Sequence, residues 1–255
     1  MENSVGLVAL FLSAIIAGAI NSVAGGGTLI SFPTLIAFGI SSIQANATNT
    51  AALWPGSLSS AFAYSRDLKP DRKMVMMLLV PSIVGGLLGA FALVATPPEL
   101  FSKIVPFLVL FATILFASRP VLDRVFKRDG TEEDVTGAGK VWGFLFQLFV
   151  ATYGGYFGAG MGILMLGSMS IMGFRDIHRM NGLKTILGTL INFIAFVFFA
   201  WRGLVIWQLA ILMTLGAIIG GYFGARFAKR IDQRFLRAFI VVIGVVVSVY
   251  LFFKA

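Results

Sequence analysis

Cysteine is absent from the 255-residue chain, and histidine occurs once. Without thiols there is no disulfide and no thiolate metal site, and one histidine alone builds no metal cluster. Charge is also scarce: 12% of the residues are charged and 58% are hydrophobic, with a mean hydropathy of +0.92. A soluble domain carries about 25% charged residues. This chain cannot cover a globule in water and reads as a polytopic membrane protein.

Acidic residues number eleven. They are Glu2, Asp67, Asp71, Glu99, Asp123, Asp129, Glu132, Glu133, Asp134, Asp176 and Asp232, all in loops or at the ends of apolar runs. Proton pumps usually carry Asp, Glu or His inside a span, so a carboxylate relay is not expected, nor is a cation pore with an acidic ring. A membrane enzyme needs a nucleophile with a base, paired carboxylates or a metal cluster. None of these can be assembled from this sequence, which implies no catalytic residue, no metal and no cofactor.

The net charge is +9. The basic residues lie in short loops between apolar runs, the pattern of positive-inside topology rather than of a nucleic-acid surface. The start, Met1-Glu2-Asn3-Ser4, has no basic region ahead of its apolar run and does not resemble a cleaved signal peptide, so the first helix is expected to stay.

The apolar runs fall at roughly 5–20, 28–39, 43–65, 73–95, 101–118, 139–157, 162–173, 177–200, 204–225 and 235–253. Most can span about 30 Å at 1.5 Å per residue. Runs 28–39 and 162–173 are too short and are expected as half-helices or re-entrant pieces, joined to their predecessors by irregular backbone. Such backbone is tolerated at membrane depth only when buried in protein or lining a cavity.

A shift of 135 positions lays the chain on itself without a gap. Ala24-Gly25-x-Gly27 falls on Ala159-Gly160-x-Gly162, Asn46 and Thr50 on Asn181 and Thr185, and Gly85-Gly86-x-x-Gly89 on Gly220-Gly221-x-x-Gly224. The chain divides into a first membrane repeat at 1–118, a polar cytoplasmic linker at 119–138 and a second repeat at 139–255. The basic loop at 66–73 maps onto a charge-poor loop at 201–208, and the poor loop at 92–103 onto the basic loop at 227–238. Equivalent loops therefore lie on opposite sides, the repeats are inverted, and both termini lie outside. The fold class is an all-α membrane bundle of about ten segments in two inverted repeats, each with a glycine-broken short helix near the midplane.

Three features are candidates for function. At the glycine breaks, Asn21 to Gly27 and Tyr156 to Gly162, backbone can turn sharply and approach a ligand. Short helices starting at Thr28 and Ile163 would aim free N–H groups at the break, an anion site without charged side chains. The alternative is that glycines only permit close helix packing. That reading suits Gly85, Gly86, Gly89, Gly220, Gly221 and Gly224, whereas the polar flanks and short following runs favour a site at the breaks. Next, Asn46, Asn49, Thr50 and Ser57 share one helical face, with Asn181, Lys184, Thr185 and Asn192 as counterparts. Lys184 maps onto Asn49, about two turns inside a span. It either snorkels to the cytoplasmic side or offsets the charge of an anion. Pro55 should bend its helix in the first half only. Third, His178 at the start of a span is the one neutral-pH titrator, with an ordinary interfacial histidine as its plainer reading.

The run Ala17-Gly18-x-x-Asn21-Ser22-x-Ala24-Gly25-Gly26-Gly27-Thr28-Leu29-Ile30-Ser31-Phe32-Pro33, with Gln44-Ala45-Asn46-Ala47-Thr48-Asn49-Thr50 and Gly155-Tyr156-Phe157-Gly158-Ala159-Gly160-Met161-Gly162, resembles the sulfite exporter TauE/SafE family over nearly the whole chain. The resemblance implies a multi-pass permease of a bacterial or archaeal cytoplasmic (inner) membrane for small sulfur-containing anions such as sulfite or sulfoacetate, with export by alternating access as the expectation. The expected site takes Asn21, Gly25, Gly26, Gly27, Thr28, Asn46, Asn49, Thr50, Tyr156, Gly160, Gly162, Asn181, Lys184 and Thr185 for substrate, and Trp54, Tyr156, His178 and Asn192 for gating or coupling. The expected partners are a small anion and the lipid bilayer, with no nucleic acid and with room for a homodimer. Two alternatives stand beside this: a transporter or channel for a neutral or other small solute, and a membrane-embedded accessory subunit or enzyme.

Overall fold

The computed structural model describes residues 4–23, 25–63, 72–126, 137–172, 174, 177–227 and 233–254, which form ten helices and no strand. The first half holds α1 (Ser4–Val23), α2 (Thr28–Ala37), α3 (Ser42–Ala63), α4 (Arg72–Ala95) and α5 (Pro98–Phe126). The second holds α6 (Gly137–Tyr156), α7 (Met161–Ile171), α8 (Ile177–Trp201), α9 (Trp207–Phe227) and α10 (Gln233–Lys254). Residues 127–136 of the linker and the basic residues around 66–71, 175 and 228–232 lie outside the described residues, whereas 119–126 continue α5 as helix. Among the described residues, five helices are long and apolar enough to cross a membrane. The chain is thus a polytopic all-α membrane protein. α3 continues through Pro55 as one helix.

The repeat read from the sequence reappears in the helix starts. α3, α4 and α5 begin at 42, 72 and 98, and α8, α9 and α10 begin 135 positions later at 177, 207 and 233. The packing is two-fold as well, and it is exchanged. α1 lies on α9 and α6 on α4, so each half's first helix packs against the fourth helix of the other half. Both seams depend on the absence of a side chain. A Cβ on Gly220 would collide with the Ile15 carbonyl, and one on Gly89 with the Thr152 carbonyl. Small residues let backbones approach where lipid offers no hydrophobic drive for association.

Contact registers give the directions. Gly216 faces Phe11 and Gly224 faces Ser22, so α1 and α9 are parallel. The equivalent helices α5 and α10 are antiparallel, with Phe107 against Phe252 (ring centroids 4.9 Å apart) and Thr113 against Gly244. Antiparallel equivalents are the arrangement an inverted repeat requires.

The short helices fold back. Gly27 packs on Ala17 and Phe38 on Gly6, so α2 returns along α1 as a hairpin. Met161 on Gly154 and Met172 on Gly143 show the same for α7 along α6. α2 and α7 have 10 and 11 residues, or about 15 Å of rise, half of a bilayer core. Equivalent glycines make the two tips: Gly25 has φ 76° and Gly160 φ 77°. An L-residue adopts that conformation only at a cost, and glycine removes it.

Candidate functional site

α3 is the ruler against which the two hairpin tips can be placed. Near its start, the Asn46 side-chain amide donates to the Tyr156 carbonyl at the second tip (2.9 Å). Near its end, the Ser60 hydroxyl bonds to the Gly221 carbonyl of α9 (3.2 Å), and Gly221's neighbour in the next turn, Gly224, faces Ser22 at the first tip. Asn46 and Ser60 are about 21 Å apart along the helix axis. The tips therefore lie at different depths, and a cavity of about 90 Å³ lies between them. That is room for several waters or one small ion.

Nine of the residues expected from sequence line this cavity: Asn21, Gly25, Thr28, Asn49, Thr50, Gly162, Lys184, Thr185 and Asn192. They come from both repeats. Asn49 is oriented by α2, accepting from the Ser31 hydroxyl and donating to Thr28 Oγ1 (3.4 Å). The Lys184 stem crosses Gly162, where an added Cβ would lie 3.2 Å from Lys184 Cδ. Among the described residues lining the cavity, Lys184 is the one with a charge, and none is a carboxylate.

Other expected residues stand elsewhere. Gly26 packs under the Phe116 ring and Gly27 against Ala17, and neither reaches the cavity. Gly160 makes the second tip. Tyr156 lies at the outer edge of that tip, its hydroxyl 3.3 Å from Thr96 Oγ1 and its ring on Phe101. Trp54 packs on Phe196 (5.7 Å) and Phe193 (5.1 Å) where α3 crosses α8. Asn181 and His178 are on α8, with side chains outside the described residues.

Several backbone donors at the breaks already have partners. The Gly25 N–H bonds to the Ile20 carbonyl (3.0 Å) and the Gly27 N–H to Asn21 Oδ1 (2.8 Å). At the second break, the Met161 and Ile163 N–H groups bond to the Gly158 and Gly160 carbonyls (3.3 and 3.0 Å). α7 accordingly starts at Met161, two residues before the expected Ile163, because Gly160 in the left-handed region turns the chain directly into the helix. The polar groups lining the cavity are therefore mainly side chains: amides, one ammonium, and hydroxyls of which Ser22, Thr50, Ser57, Ser60 and Thr189 already donate to helix carbonyls.

Sequence reasoning assigned no substrate contact to Ser22, Leu53, Ser57, Ser60, Phe157, Gly158, Met161, Met165, Gly188 and Thr189, which also line the cavity. Ser57, Ser60 and Thr189 extend the two polar stripes at helical spacing and were open to that reading. The apolar residues carry no such signal in a greasy chain.

Ten helices in two matching halves, with a cavity between two hairpin tips, are the make-up of a membrane transporter, and the comparisons with known proteins agree. Residues 10–251 match the family model described as Sulfite exporter TauE/SafE, and the chain belongs to that family. It is 31% identical over 219 residues to "Probable membrane transporter protein ORF9" of Sinorhizobium sp, covering 84% of this chain and 80% of that protein. It is 28% identical over 251 residues to "Probable membrane transporter protein YfcA" of Escherichia coli (strain K12), covering 96% and 89%. A Haemophilus influenzae protein named "Probable membrane transporter protein" is 26% identical over 215 residues, covering 84% and 82%. No solved structure matches the chain. Family, relatives and helices together make it a multi-pass cell-membrane transporter.

Proposed function

We propose that the cavity binds a small sulfur-containing anion and that the protein exports it across the cytoplasmic membrane by alternating access. The observation that carries this reading is the lining: hydroxyls and amides from both repeats, one lysine, and no carboxylate among the described lining residues. An anion buried from water needs donors on several sides and a balancing charge. Thr28 and the Asn49 and Asn192 amides supply the former and Lys184 the latter, while the Thr50 and Thr189 hydroxyls donate to the Asn46 and Thr185 carbonyls and turn acceptor oxygen to the cavity. The sulfur chemistry and the outward direction rest on the family's description. A proton can travel with the substrate, since sulfite protonates near neutral pH, so no carboxylate relay is needed.

The gate in this reading is the second tip. Asn46 holds the Tyr156 carbonyl, Thr96 meets its hydroxyl, and Phe101 backs its ring. The cavity lining runs away from that seal toward Asn21, Ser57 and Ser60. It leads to the end of α3 that precedes Arg66 and Lys69, the side assigned as cytoplasmic by charge. Trp54 at the α3–α8 crossing is the pivot between halves, and His178 with Asn192 couples α8 to that movement.

Thermal unfolding of the purified protein in detergent, with sulfite and sulfonates against phosphate and chloride, tests the reading. Selective stabilisation by one sulfur anion, followed by its flux in liposomes, is the expected result. No stabilisation by any anion would move the assignment to a neutral solute.

A further inference from the structure

The cavity is lined by apolar as well as polar side chains, and the two halves contribute the apolar ones unequally. Phe157, Met161 and Met165 all come from the second hairpin and are at most 7% exposed. The positions 135 earlier are Ser22, Gly26 and Ile30. The Met161 thioether lies over Gly154, and its methyl carbon would sit 3.6 Å from a Cβ on Gly188. Position 188 lines the cavity and is equivalent to Leu53 in the first half. Met161 thus fills a notch between two glycines, from a helix end the polar residues do not share. An inorganic oxyanion makes hydrogen bonds on every side and gains nothing from the Phe157 ring and the Met161 thioether, the two of these side chains with surface left open. A short hydrocarbon stem gains from leaving water against the same side chains.

We propose that the site selects a small organic anion with a short apolar stem, and that Met161 is the specificity-determining side chain that limits the stem's length. The head group lies on the Lys184, Asn49 and Thr185 side and the stem runs toward Met161 and Phe157. This rests on the cavity being the anion site. Methionine suits such a position because its thioether adapts to varied apolar shapes.

The test is a binding series on the full-length protein in detergent: sulfite, then methane-, ethane-, propane-, butane- and pentanesulfonate. Each added methylene is expected to tighten binding about fourfold up to a cutoff length, beyond which binding is lost. Met161→Ala should move that cutoff to longer stems. Gly188→Ala adds a methyl at ordinary contact distance from Met161, should fold normally, and should move the cutoff to shorter stems. The pair keeps the test decisive if Met161→Ala fails to fold. Equal binding of sulfite and all sulfonates, or an unchanged cutoff in Gly188→Ala, overturns the inference while leaving an anion site in place. Binding of none of the series overturns the anion site and the inference together.

Discussion

Asn46 and Tyr156, 110 positions apart, are joined by a side-chain amide donating to a backbone carbonyl at 2.9 Å. Tyr156 ends α6, so its carbonyl has no partner one turn further on. Asn46 is 1% exposed, and its Oδ1 has no protein partner. The contact is therefore half satisfied: one good bond, and one buried acceptor that costs about 1–3 kcal/mol when unpaired. A link built this way holds the second tip against α3 without fixing it permanently.

Asn46→Ala should loosen that link with a modest loss of global stability, because it removes the orphan Oδ1 but leaves the Tyr156 carbonyl unpaired, and the two effects partly offset. The expected net change is below about 2 kcal/mol. The chain has no cysteine, so a Thr96→Cys variant can be labelled without background. Labelling of that cysteine from the Tyr156 side should speed up in the Asn46→Ala background. Equal rates in both backgrounds would mean that Asn46 does not hold a gate.

The two glycine types at the first break should respond differently. An added Cβ on Gly25 meets nothing within 4 Å, and the strain comes only from its φ of 76°. Gly25→Ala should cost about 1–2 kcal/mol. Gly27→Ala drives a methyl into the Ala17 backbone and must push the hairpin apart. Thermal unfolding in detergent should rank wild type above Gly25→Ala and Gly25→Ala above Gly27→Ala. A Gly27→Ala protein as stable as wild type would contradict the folding back of α2 on α1.

Much of this architecture was legible because its signal is not hydrophobicity. Glycines and amides recurring 135 positions apart anticipated a common spacing between the halves, and the helix starts at 42 and 177, 72 and 207, and 98 and 233 have it, whereas the apolar runs alone gave starts at 43, 73, 101, 177, 204 and 235. The stripe of Asn49, Thr50 and Ser57, with Lys184, Thr185 and Asn192, marked the cavity faces of α3 and α8. Asn46 shares that stripe yet turns to Tyr156, because α3 outruns the cavity and meets the second tip at that level. Periodicity assigns a face, not a depth along it. The fold-back of α2 and α7 was one of two expectations, half-helix or re-entrant piece, and sequence left it undecided because a glycine break reads alike whether the next helix continues or returns. Met161 and Met165 were invisible because methionine in an apolar chain looks like core.

The α1–α9 and α4–α6 seams are separate surfaces, and this makes their glycines a test of additivity. Gly220→Ala would strike the Ile15 carbonyl and Gly89→Ala the Thr152 carbonyl. Each should cost about 1–3 kcal/mol as overpacking. With no shared partner, the double variant should lose the sum to within about 0.5 kcal/mol. A double variant no worse than either single one would show that the seams open together.

Lys184 decides between the two meanings of a basic residue inside a span. If it balances a bound anion, Lys184→Gln removes a charge-assisted hydrogen bond worth about 1.5–3 kcal/mol. Anion affinity should then fall about tenfold or more, with the fold intact because glutamine retains much of the stem over Gly162. Gly162→Ala offers an independent check. Its methyl would stand 3.2 Å from Lys184 Cδ and displace the stem by a few tenths of an ångström. It should weaken the same anion more mildly while the charge remains. If Lys184→Gln binds and transports the anion as wild type does, the lysine only snorkels toward the cytoplasmic side. The hydroxyl and amide lining would then be better suited to a neutral solute, which carries no charge for the lysine to balance.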